Sequence, residues 1–119
     1  MIKNEILEIG EQYFFYFEQK DINSLRNLFS KEIKLFDPIV KNVVGIENVL
    51  LANIEIFNSS QKISIKNKKI FVDYFSDTLI AELEIQFDLN IINVVDIIVF
   101  DANKKIISIT AYLDTEQIK

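Results

Sequence analysis

Ile2, Ile6, Ile9, Tyr13, Phe14 and Phe17 return every three or four positions. That spacing matches the turn of a helix and predicts an amphipathic helix over residues 3–19. Asp21 stands where an N-cap belongs, ahead of Ile22, Leu25, Leu28 and Phe29, so a second, shorter helix follows. Ile33 to Asp37 reads as a short strand ended by Pro38, which has no N–H to give a ladder. Gly45 opens a third helical stretch, with Val49, Leu50, Ala52, Ile56 and Phe57 on its apolar side and Asn58-Ser59-Ser60 closing it.

After Ser60 the period changes to two. Ile63 and Ile65 share one parity while Ile70, Val72 and Tyr74 hold the other, which places a bulge near Asn67–Lys69. A turn at Ser76-Asp77 leads into Leu79, Ala81, Leu83, Ile85, Phe87 and Leu89, expected to be buried. They alternate with Thr78, Glu82, Glu84, Gln86 and Asp88, expected to be wet. A strand over residues 91–100 follows, then a turn at Asp101-Ala102-Asn103-Lys104 and a last strand from Ile106 to Leu113. Helix, helix, short strand, helix and four long strands in an antiparallel meander make an α+β fold, with the helices on one face of a curved sheet. No repeat, linker or low-complexity segment divides the chain, so residues 1–119 form a single domain.

Composition narrows the chemistry. Half the residues are apolar, and charged residues remain plentiful, as in an ordinary globular protein. A net charge of −5 argues against nucleic acid, and the densest basic group, Lys66, Lys68 and Lys69, fits a solvated strand turn. With neither cysteine nor histidine, thiol chemistry, disulfides, a zinc site and a histidine base are all excluded. No targeting segment or membrane-length apolar run is visible, so a cytoplasmic protein is expected, with no nucleic-acid or membrane partner.

One carboxylate stands out. Asp96 lies inside Ile91-Ile92-Asn93-Val94-Val95-Asp96-Ile97-Ile98-Val99-Phe100, a strand apolar enough to be buried. An ionised carboxyl there loses its hydration, so a raised pKa and a protonated, hydrogen-bond-donating group are expected. Tyr13 in the first helix and Asp37 before the only proline are in comparable settings. A phenol, a neutral acid and a second carboxylate around one cavity would suit proton transfer next to a carbonyl. Phe14, Phe17, Phe36, Ile54, Phe71, Phe87, Val94 and Ile98 are candidates to hold the hydrophobic part of a ligand. This chemistry needs neither metal nor organic cofactor.

The element order, the Phe36-Asp37-Pro38 step, Gly45 at the third helix and the ending Val99-Phe100-Asp101…Lys105-Ile106-Ile107-Ser108…Ala111-Tyr112 resemble the nuclear transport factor two-like (SnoaL-like) superfamily. Within it the chain is most similar to bacterial ketosteroid isomerase. The resemblance implies a cone-shaped domain whose curved, mostly antiparallel sheet carries three N-terminal helices over its concave face. It implies Asp37 as general base, with Tyr13 and a protonated Asp96 as oxyanion-hole donors. Asn53 stands where that family usually has a supporting tyrosine, and the loop before Gly45 is shorter. The implied activity is cofactor-free isomerisation of a small hydrophobic ketone; the alternative is a non-catalytic ligand-binding or dimeric scaffold domain. The resemblance also implies a homodimer through the open face of the sheet, for which Tyr74, Phe75, Ile97, Val99 and Tyr112 supply apolar surface.

Overall fold

A computed structural model of the chain describes residues 3–118. Helix α1 (Lys3–Gln19) turns Ile6, Tyr13, Phe14 and Phe17 inward, as their spacing requires. Ile2, which the same stripe would include, lies outside the described residues. Gly10 shares the buried face, and a Cβ there would meet Leu79 Cδ1 at 2.5 Å, so helix and sheet approach closely at this point. The helix ends where Lys20 takes a left-handed conformation (φ 57°). Its N–H donates to Phe17 O while Asp21 N–H reaches Tyr16 O, a paired closure that satisfies two free carbonyls. Asp21 then caps α2 (Ile22–Leu28), accepting from the Ser24 N–H at 3.1 Å and the Ser24 hydroxyl at 2.7 Å.

The next segment corrects two expectations. Phe29 is not helical: it opens strand β1 (Phe29–Asp37) and pairs with Ile106, so the strand begins well before Ile33. The stretch before Gly45 is not a loop but a further strand, β2 (Lys41–Val44), folded antiparallel onto β1. Asp37 makes this hairpin, its Oδ1 accepting from the Ile39 N–H at 2.7 Å and the Val40 N–H at 3.4 Å. Helix α3 (Ile46–Asn58) starts from Gly45, whose φ of 90° suits a residue without Cβ. The Gly45 N–H donates to Ile33 O at 2.8 Å and ties the start of α3 to β1.

Strands β3 (Ile63–Asp73), β4 (Thr78–Phe87), β5 (Asn90–Phe100) and β6 (Ile106–Tyr112) form the meander. The register of β3 shifts between Lys66 and Lys69, with Asn67 at φ 50°, so the bulge lies where the change of parity placed it. Leu89 is corrected from buried to almost fully exposed, because β4 has already ended and Leu89 sits in the turn to β5. Thr78 is corrected from wet to buried, its hydroxyl held by Ser76. The sheet order is β2-β1-β6-β5-β4-β3, curved and unclosed, with β1 and β6 its one parallel pair. Helix α1 packs on β3 and β4, α3 packs on β1 and β2, and α2 bridges the two helices. No helix among the described residues is long and apolar enough to cross a membrane.

Candidate functional site

The site begins with one rung of the sheet. Ala81, Asp96 and Ala111 stand side by side on β4, β5 and β6. Ala111 lines the open volume beside the carboxyl, while Ala81 is fully buried. The neighbouring rung is filled by branched side chains, with Leu79 and Ile98 sealed and Ile109 lining the cavity. The result is a cavity of about 430 Å³ between sheet and helices. Tyr13 of α1, Asn53 of α3, Asp37 of β1 and Asp96 of β5 all line it, among walls that include Phe17, Leu35, Ile85, Phe87 and Val94. Exposed or half-exposed Ile39, Glu55, Ser59, Asn90 and Ile118 reach its rim.

Tyr13, Asn53 and Asp96 are each at least nine-tenths buried. Among the described residues none of the three side chains makes a hydrogen bond to protein, and none of their polar atoms is sealed in the interior. Their hydrogen-bonding capacity therefore faces the cavity. The Tyr13 ring is held by Phe14, Phe17 and Phe29 at centroid distances of 5.5, 6.1 and 6.2 Å. Burial, and after it the nearby charges of Asp96 and Asp37, push the Tyr13 phenol well above its ordinary value, so it remains an O–H donor. Burial first and the charge of Asp37 second raise the Asp96 carboxyl from 3.8 to about 7. Below that pH Asp96 is a second O–H donor; above it the cavity holds two carboxylates.

Of the apolar residues expected at the site, Phe17, Phe87 and Val94 line the cavity and the others do not. Phe14 packs edge-on against Tyr13 within the core, on the side where Lys68 Nζ lies 5.8 Å from its ring. Phe36 alternates with the cavity-facing Leu35 and Asp37 and so falls on the opposite face of the sheet. Phe71 is about half exposed on the edge strand β3. Ile98 is sealed in the neighbouring rung, and Ile54 takes the partly exposed side of α3 next to the inward-facing Asn53. Asn53, which stands at the family's supporting-tyrosine position and reads in the sequence as a polar helix position rather than a site residue, lines the cavity as well. It interrupts the buried stripe Val49, Leu50, Phe57 as Asp96 interrupts its strand, and that interruption was the available signal. Arg26, the only arginine, is exposed and paired with Glu47. No group of three or more acidic residues among the described ones is placed to hold a metal.

No family model matches the sequence, and no curated protein does. Solved structures do. An NTF-2 like protein of unknown function from Burkholderia xenovorans LB400 is 15% identical, with 94% of this chain and 84% of that chain covered and a TM-score of 0.78. A protein provisionally named a ketosteroid isomerase, from Kribbella flavida DSM 17836, is 10% identical over 93% of this chain and 78% of that one, with a TM-score of 0.80. The epoxide hydrolase/cyclase-like enzyme SalBIII, of pyran ring formation in salinomycin, is 17% identical over 97% and 95%, with a TM-score of 0.78. The chain thus has the fold of the NTF-2 like and SnoaL-like proteins.

Proposed function

We propose that the chain is a cofactor-independent isomerase that moves a proton next to the carbonyl of a small hydrophobic ketone. The observation that carries this reading is the convergence of Tyr13, Asp37 and Asp96 on one apolar cavity, with the phenol and the buried acid unpartnered. The ketone oxygen would accept hydrogen bonds from the Tyr13 hydroxyl and protonated Asp96. These donors strengthen as negative charge develops on the oxygen, which lowers the barrier to enolisation. Asp37 would take the proton from the carbon between carbonyl and double bond and return it to the γ-carbon. The double bond then lies in conjugation, Asp37 is regenerated and no atom is gained or lost. Its Oδ1 is occupied by the Ile39 and Val40 N–H groups, while Oδ2 has no protein partner among the described residues and is the oxygen for the proton.

The test is the absorbance change as β,γ-unsaturated ketones become conjugated. Asp37→Asn should lower the rate by about 10²-fold or more while retaining affinity for a phenol that occupies the oxyanion donors. A variant with full rate would remove Asp37 from the mechanism. No turnover by the wild type, with phenol binding intact, would leave a ligand-binding or scaffold domain.

The same reading includes a homodimer. Its support is the outer face of the sheet, where the ladder places Phe71, Ile80 and Ile97 in one row beside Val95, Val99 and Tyr112. Phe71 and Tyr112 are more than half exposed there, as is Tyr74 near the β3–β4 turn.

A further inference from the structure

The cavity has acceptors in excess and no cation of its own. Asp37 and Asp96 face it with Tyr13 and Asn53, and Glu55 stands at the rim. Among the described residues that line it, none is lysine or arginine, and the chain has no histidine. Lys20, near the rim, has its Nζ engaged by the main-chain carbonyls of Ser60 and Gln61 and is not part of the lining. Two carboxyls in one apolar enclosure repel each other when both are ionised, and a buried ionised carboxyl is stable only beside a counter-charge. Among the described residues that line the cavity, no group supplies one. The walls are aromatic and aliphatic, suited to a hydrocarbon rather than to a hydrated metal ion.

We propose that this cavity also binds hydrophobic primary amines, the ammonium lying between Asp37 and Asp96 and the hydrocarbon against Phe17, Phe87 and Val94. The inference uses the same cavity but none of the proton-transfer chemistry above. An ammonium donates three hydrogen bonds, and Asp37, Asp96 and the Asn53 carbonyl are acceptors for them. Its charge also removes the mutual repulsion of the two carboxylates. A carboxylate ligand meets the reverse situation once both carboxyls are ionised and is then rejected by both. The titratable groups that line the cavity with Asp96 are Tyr13 from α1, Asp37 from β1 and Glu55 from α3 at the rim, while β4 and β6 present only apolar side chains to it. Tyr13 stays neutral, so the change in cavity charge as pH rises through neutrality belongs to Asp96.

Calorimetric titration with phenethylamine, phenethyl alcohol and phenylacetate compares three head groups on one hydrocarbon. The amine remains cationic throughout the range from about pH 5.5 to about pH 8.5, as a lysine side chain does. The expected result is tightest binding by the amine and, at about pH 8.5, none detectable by phenylacetate. The amine Kd should fall about tenfold or more across that range, with the alcohol nearly unchanged. Asp96→Asn should abolish the pH dependence, and Asp37→Asn should weaken the amine selectively at both ends. Thermal melts confirm that each variant is folded, and either variant alone suffices to decide. Amine and alcohol binding equally, or an amine Kd independent of pH in the wild type, overturns the proposal. Loss of ketone conjugation with amine binding intact would count against the isomerase alone, and the converse result against this inference alone.

Discussion

Asp96 sits between two alanines in the middle of an apolar strand and carries its proton to about pH 7. Its folded-state value is raised from 3.8, so the native protein holds a proton that the unfolded chain has released. The protonated carboxyl is fully compatible with the fold below pH 3.8, and that advantage is lost as pH rises through about 7. Across the window the relative loss amounts to about 4 kcal/mol at most, at 1.36 kcal/mol per pH unit. Asp96→Asn keeps the shape and removes the ionisation. We expect its urea midpoint to exceed that of the wild type at pH 8 and to converge on it near pH 4. Equal midpoints at pH 8 would show that Asp96 is not held in an apolar setting. A carboxylate that weakens its own protein at physiological pH is consistent with a group kept for the cavity rather than for the core.

At the scale of elements, the cavity depends on how α3 and β1 are joined. Gly45 caps α3 at φ 90° and its N–H fastens to Ile33 O. A Cβ at Gly45 would meet nothing within 4 Å, so Gly45→Ala introduces backbone strain without a clash. We expect a loss of about 1 kcal/mol, read as a lower melting temperature with an unchanged fold. The elements with strong periods were legible in the sequence: α1 from its stripe, α3 from Gly45 and its apolar side, β3 and β4 from alternation, β5 from its apolar run, β6 from the turn before it, and even the bulge from a change of parity. The parts that were not legible have physical reasons. Lys41–Val44 is short and mostly exposed, so β2 leaves no period to read. Phe29 would suit the apolar stripe of a helix and equally the start of a strand; only its pairing with Ile106 decides. The convergence on a cavity of Tyr13, Asp37 and Asp96, which came from single residues and a resemblance, rests on the rung that sets Asp96 beside the small, cavity-lining Ala111. That depends on cross-strand register, which alternation alone does not give. The apolar lining was half misread for the same reason, as Phe36 and Ile98 show: parity and rung, not hydrophobicity, decide which side chain meets the cavity.

For the whole molecule, the sheet has one face under the helices and one face open. The open face carries Ile97 at the centre of its apolar row, flanked by Ile80 and Thr110. If two copies join there, Ile97→Lys places a charge at the middle of the interface. We expect sedimentation velocity to show a dimer for the wild type at micromolar concentration and a monomer for the variant, with the cavity still competent for phenol. A wild-type monomer would dispose of the dimer. The parallel pairing of β1 with β6 has a different consequence, one that concerns the order in which the chain is made. Phe29 and Phe36 precede all of β3, β4 and β5 in the sequence, and their partners Ile106 and Thr110 follow them. While the ribosome is still making the long strands, β1 can pair with β2 alone and its other edge stays open. The hairpins of β3, β4 and β5 can form as they emerge, but the enclosure that unites Asp37 with Asp96 has to wait for the last strand. Tyr13 and Asp37 exist on the nascent chain long before they share a cavity with Asp96. Until β6 emerges, therefore, each copy exposes an unpaired β1 edge, and that is the interval in which a chaperone would have most to protect.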